Sequence, residues 1–140
     1  HRDLHRVDRR QRQMCIETAQ LLGISSTTTD IQDIIRLVGE RQSRGELNQV
    51  VITLGDKGAL VIENGKSTAI PAHQVTPVDT VAAGDAFVGA LSVALSEGKS
   101  LLEAAHWGNA AGALAVTKQG AQPSLPTRRA LLDLLNSTNK

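Results

Sequence analysis

The sequence predicts an α/β layered fold, and three observations carry that expectation. Two apolar runs rich in β-branched residues, 49–54 and 59–63, stand close together. An Asn64-Gly65 pair follows them and signals a hairpin into residues 66–70. Segments with helical periodicity stand on both sides of this block.

Each element has its own reason. Ile16, Ala19, Leu21 and Leu22 read as a short helix that Gly23 ends. The polar run 25–30 supplies a turn with several N-cap candidates. Ile31, Ile34, Ile35 and Val38 recur at helical spacing, and that helix is expected to end near Gly45. The run 49–54 suits a fully buried strand. Gly55-Asp56-Lys57-Gly58 is turn chemistry. Residues 79–84 form a small-residue loop, and helices are expected over 85–95, 101–117 and 127–135, the last capped by Thr127.

Composition narrows the function. A length of 140 sets an expectation of one domain, and 41% apolar with 21% charged residues is a globular rather than a disordered balance. Phe87 and Trp107 are the only aromatics, too few for a nucleic-acid stacking platform. The single cysteine, Cys15, excludes an internal disulfide and a multi-cysteine metal site. No apolar run reaches the roughly 18 residues of a membrane span, and no signal peptide is visible, so a cytoplasmic setting is expected. The first residue is His1, which reads as a fragment or a processed product. Residues 1–13 hold five Arg and two Asp, a net of +3, which leaves the remainder at −2. With no aromatics between its arginines, that stretch reads as a solvated tail rather than a nucleic-acid arm.

The segment with chemistry in it is VDTVAAGDAFVGAL, residues 78–91. Small residues crowd the front of a helix and leave the amides of Ala82, Ala83, Gly84 and Asp85 open to a ligand. Helix N-termini attract anions, phosphate above all. Asp85 beside such a site suits a base for a substrate hydroxyl. The four residues AAGD fit an ordinary acid-bearing first turn equally well; Asp79 upstream and Gly89-Ala90 downstream lengthen the pattern.

DTVAAGDAFVGAL resembles the C-terminal signature of the ribokinase-like carbohydrate kinases, the phosphofructokinase-B family. VVITLGDKGALV, AIPAHQVTPVDT and AGALAVTKQGAQPSLP follow the same family order, so the resemblance covers about 47–135 and more faintly 17–45. The ending GAQPSLP is more like ribokinase than like fructokinases or adenosine kinases. The implied architecture is the C-terminal nucleotide-binding part of a three-layer αβα fold, without the N-terminal half and lid. Residues 1–15 would be a basic tail unlike the family, and 16–140 the partial domain.

The resemblance also implies roles. Asp85 matches the catalytic base that meets the sugar hydroxyl, and Ala82, Ala83 and Gly84 match an anion hole for the transferred phosphoryl group. Thr53, Leu54, Gly55, Asp56, Lys57 and Gly58, with Gly84, Asp85 and Asn109, match the ATP site. Asp79, Val81, Ala115, Lys118, Gly120 and Ser124 match loops that bind a monovalent cation such as K⁺. Glu17 matches the acid of an Asn-x-x-Glu motif that orders Mg²⁺ through water, but Met14 stands at the Asn position. The implied reaction is ATP-dependent phosphorylation of a primary sugar hydroxyl, D-ribose giving ribose 5-phosphate. The alternatives are a truncated, inactive chain that at most binds nucleotide, and a family kinase for fructose or a nucleoside. The implied parent is a homodimer through the lid, an interface this chain would lack. Residues 1–15 are expected to come from a wrong reading frame or an alternative start. Among the remaining chemistry-bearing residues, His106 reads as a packed or surface histidine, Trp107 as core or a pocket wall, Cys15 as a bystander, and His73 as a loop residue with no partner.

Overall fold

The computed structural model describes residues 31–120 and 126–138. The helix expected over 16–22, the basic tail, Cys15, Glu17 and Ser124 lie outside the described residues.

Helix α1, Ile31–Ser43, buries Ile34 and Val38, two members of the predicted stripe. It ends at Gly45, whose φ of 73° is left-handed. Gly45 N donates to Gln42 O at 3.0 Å and Glu46 N to Arg41 O at 3.0 Å, the paired bonds of a Schellman stop. Gln42 then locks this helix to the sheet. Its Nε2 donates to Asn48 O and Ile62 O, both at 2.9 Å, and its Oε1 accepts from Gly65 N at 2.7 Å.

Strands β1, Gln49–Thr53, β2, Ala59–Glu63, and β3, Lys66–Ile70, form an antiparallel sheet in the order β1-β2-β3. The register pairs Thr53 with Ala59 and Glu63 with Lys66. Asn64 and Gly65 both take positive φ, 50° and 75°, as the predicted Asn-Gly turn requires. The side chains of β2 alternate between two cores. Leu60 and Ile62, with Ile52 of β1, pack on Ile34 and Val38 of α1. Ala59 and Val61, with Ile70 of β3, pack on Phe87 and Ala105. The layers are therefore helix, sheet, helix. The strand buried on both faces is β2 rather than the expected run at 49–54. Lying at an edge of the sheet, β1 buries only Ile52 fully.

The second helical layer is α2, Ala83–Ser96, and α3, Leu101–Val116, with α4, Arg128–Thr138, behind it. Gly98, at φ 82°, turns the chain between α2 and α3, and Ser100 Oγ caps α3 by accepting from Glu103 N at 3.2 Å. The two helices touch through alanines and glycines. A Cβ at position 108 would stand 2.9 Å from two carbons of the Phe87 ring. Trp107, 7% exposed, closes the layer toward α4. Lys99 Nζ lies 5.2 Å and Arg128 Cζ 5.3 Å from its ring centroid, both within cation–π range. Thr127 caps α4 as expected, its Oγ1 accepting from Ala130 N at 3.2 Å.

Gly108→Ala tests the close approach of α2 and α3. In an open helix alanine stabilises by about 1 kcal/mol over glycine. Overpacking of Phe87 is expected to reverse that sign, with a net loss of about 1–3 kcal/mol in urea unfolding. A gain would show that the helices have room to separate.

Candidate active site at the start of helix α2

Asp79 organises the approach to α2. Its Oδ1 accepts from Val81 N at 3.0 Å and its Oδ2 from Gly120 N at 3.1 Å. Val78 N and Asp79 N both donate to Val116 O, at 2.6 and 3.1 Å. The loop before α2 is thus strapped to the end of α3 from both sides. Helix α2 begins at Ala83, two residues before the expected start, so Gly84 and Asp85 sit in its first turn. Ala82 stands at the N-cap and offers no capping side chain. Ala83 N donates to Thr80 O at 3.3 Å, and Ala86 N makes the first helical bond, to Ala82 O at 2.9 Å. The amides of Gly84 and Asp85 make no hydrogen bond to the described residues. A Cβ at Gly84 would meet nothing within 4 Å, so a ligand can reach these amides. Uncapped amides at a helix start are an anion site, and the exposed Asp85 carboxylate stands beside them.

Asp85 also lies on the rim of a cleft of about 370 Å³ between α2, α3 and the start of α4. Ala86, Ala90, Val93, Trp107 and Leu131 line it, an apolar wall unsuited to a polyhydroxylated ring. Trp107 is both core and pocket wall, and His106 is at the surface, as expected. At the cleft's mouth the Arg128 guanidinium beside Glu97, 2.7 Å away, holds the Glu97 carboxyl below its usual range.

The glycine turn lies at the end of β1. Gly55–Lys57 makes one 3₁₀ turn, and Leu54 N donates to Gly58 O at 2.8 Å. Asp56 and Lys57 are exposed, whereas Thr53 and Leu54 are half-buried. Gly58, at φ 97°, is buried, and a Cβ there would stand 1.9 Å from Ile70 O. This glycine therefore has a packing reason besides any ligand. Asn109 is buried too, 8% exposed, and its Nδ2 donates to Pro71 O at 2.9 Å. One N–H of its side-chain amide thus holds the loop that packs on Gly58.

Among the described members of the expected cation set, Asp79 accepts from the amides of Val81 and Gly120, and Lys118 N donates to Ala115 O at 3.4 Å. The donors on offer are one carboxylate and backbone carbonyls, a hard-oxygen set that fits a monovalent cation better than a transition metal. Among the described residues no three His, Cys, Asp or Glu cluster as metal ligands. Nor is any described helix long and apolar enough to cross a membrane.

His73 is half-buried, and burial first and the charge of His106 second hold its pKa below the ordinary histidine value.

A family model described as "pfkB family carbohydrate kinase" matches residues 16–128. The chain belongs to this family. A ribokinase of Haemophilus influenzae is 44% identical over 119 residues, covering 85% of this chain and 38% of that protein. The structure of Arabidopsis thaliana ribokinase complexed with ribose and ATP superposes with a TM-score of 0.73 at 33% identity, over 86% of this chain and 38% of that one. A fructokinase of Vibrio cholerae O395, solved with fructose, ADP and potassium ion, gives a TM-score of 0.69 at 36% identity, over 85% and 38% of the two chains. The chain thus has part of the ribokinase-like fold and spans about two-fifths the length of such pfkB-family relatives.

Asp79→Ala tests the strap. It removes two charge-assisted bonds to backbone amides, each worth roughly 1.5–3 kcal/mol. Stability in urea is expected to fall by about 2–4 kcal/mol, and hydrogen exchange at Val81 and Gly120 to accelerate. Unchanged exchange at both amides would mean that Asp79 does not hold the loops.

Proposed function

We propose that this chain carries the phosphate-binding and proton-abstracting part of an ATP-dependent sugar kinase whose substrate is D-ribose. One observation carries the reading: the open amides of Gly84 and Asp85 at an uncapped helix start, with the Asp85 carboxylate beside them. In phosphoryl transfer, charge spreads over the equatorial oxygens of the γ-phosphoryl group. Preorganised amides stabilise that charge without reorganising during the reaction. The free amides of Gly84 and Asp85 form this anion hole; of the residues the resemblance offered for it, Ala83 already donates its amide to Thr80 O at 3.3 Å. Asp85 takes the proton of the primary hydroxyl as the sugar oxygen bonds to the γ-phosphorus and the bond to the ADP oxygen breaks. ADP leaves with that electron pair.

The turn 53–58 and the loop held by Asn109 border the nucleotide. Mg²⁺ bound to the nucleotide would offset its phosphate charge. The carbonyls of Val81, Ala115, Lys118 and Gly120, with Asp79, would hold K⁺, whose positive charge would favour the anion hole. A cytoplasmic setting is part of this reading. The ribokinase similarity favours ribose, and the fructokinase similarity makes fructose the sugar to compare with it. A second reading, nucleotide binding without turnover, is favoured by the share of the relatives that the chain spans, 38%, and by the exposure of Val81, Val88 and Leu95.

The test is phosphorylation of ribose and fructose by the purified chain with MgATP and K⁺, alongside MgADP-induced thermal stabilisation. Turnover favouring ribose is expected, with Asp85→Asn lowering it by about 10²–10⁴-fold. MgADP stabilisation without turnover would establish the second reading. Neither signal from a folded chain would overturn both.

A further inference from the structure

The two edges of the sheet differ in chemistry. β3 carries Lys66 and exposes it with Ser67 and Ala69. A lysine and polar neighbours guard an edge against an added strand. β1 ends the sheet on the other side, and its sequence QVVIT holds no charge and no proline. Leu54 N donates to Gly58 O at 2.8 Å. By the alternation of an antiparallel ladder, the amides and carbonyls of Gln49, Val51 and Thr53 therefore point away from β2. No described strand pairs with them. Helix α2 reaches toward the same side. α3 lies over β2 and β3. α2 packs beside α3, and its Phe87 and Leu91 share an apolar cluster with Val51 of β1, which sets α2 on the β1 side. On α2, Ala86 and Ala90 face the cleft and Phe87 and Leu91 face the sheet. Val88 and Leu95 come next around the helix, away from the cleft, and are exposed. The unguarded edge and the exposed stripe are thus neighbours.

We propose that this chain pairs with a second copy of itself, as a two-fold dimer through the outer edge of β1 and the exposed stripe of α2. The occupant follows from self-complementarity. In an antiparallel pairing centred on Val51, Val51 meets the second copy's Val51 and Gln49 meets its Thr53. Every outward amide then finds an outward carbonyl. Val50 falls opposite the second copy's Ile52 on the α1 face, a β-branched cross-strand pair. No like charges oppose each other within the strand. The same axis runs through the sheet and places the two α2 helices antiparallel in one layer, with Val88 and Leu95 of each turned toward the other. An isologous contact of this kind closes on itself. The outer edges of the joined sheet are then the two β3 strands, each guarded by Lys66, so assembly stops at two. This surface stands independently of the sugar-kinase reading.

The experiment is sedimentation velocity of the full chain over about a hundredfold range of concentration, with hydrogen exchange read at single amides. A reversible monomer–dimer equilibrium is expected, with exchange at Val51 and Thr53 slowing as the dimer fills. Gln49→Pro removes an outward amide and leaves the β1–β2 ladder its own bonds, since proline is tolerated at the first residue of a strand. Val88→Lys places a charge at a position already exposed in the monomer. Each variant, with circular dichroism matching wild type, is expected to weaken the dimer by about tenfold or more. Ser67→Lys, on the guarded edge, is expected to leave it unchanged. A monomer at every concentration, or species larger than a dimer, would overturn the proposal. A dimer that either folded variant leaves intact would place the interface elsewhere and overturn it too. Protection of Val51 and Thr53 that persists in the monomer would show that the chain's own residues cover the edge, again against a second copy.

Discussion

The candidate site depends on one contact, the ring of Phe87 lying across Gly108. Phe87 is 6% exposed and joins three elements: it belongs to α2, rests on α3, and packs on Val61 and Ile70 of the sheet. A second close point lies one turn along α3, where a Cβ at Gly112 would stand 3.4 Å from Ala83 O. Two such points fix how far α2 can slide and turn against its neighbour. Interiors are close-packed and shift in discrete steps rather than smoothly. The first turn of α2, with its open amides and Asp85, is therefore placed by packing that lies entirely behind it.

The segments around that turn have no ladder of their own. Residues 71–82 contain neither a strand nor a full helical turn, so their backbone groups need partners from elsewhere. Two side chains help to meet that need: Asn109 of α3 donates to Pro71 O, and Asp79, within the segment, accepts from Val81 N and from Gly120 N beyond α3. Each replaces a secondary-structure bond with a side-chain bond at a fixed point, which stiffens a loop without making it regular. Stiffness at these points is what a preorganised anion site requires. The amides left over, at Gly84 and Asp85, are those that no side chain caps.

Much of this was legible in local pattern. The Asn64-Gly65 turn, the Thr127 cap and the stripe of α1 follow from residue chemistry within a few positions, and all three formed as read. The burial of β1 was misjudged because QVVIT is equally apolar whether or not a neighbour covers it; sheet position decides, and sequence does not state it. The start of α2 was placed late because Ala83 and Gly84 carry no capping signal. The Ser100-x-x-Glu103 cap was available in the sequence and passed unread. That Asn109 also donates to Pro71, a bond across 38 residues, was not legible in the sequence. Partnerships of that span exist only once the layers assemble.

The apolar surface of α2 bears on how binding and transfer differ. Val88 and Leu95 stand seven residues apart, so they share one stripe along the helix, and they are 59% and 43% exposed; Val81, just before the helix, is 49% exposed. The opposite face already buries Ala86, Phe87 and Ala94. A helix apolar on both faces is built for an interior. Its exposed stripe passes Val88, one turn after Gly84 and Asp85. On the proposed reading, anion binding needs only the amides at the start of α2. Transfer to a sugar rather than to water also needs solvent excluded over Asp85. On the proposed reading, anion binding and transfer thus have different requirements, and nucleotide affinity would be separable from turnover.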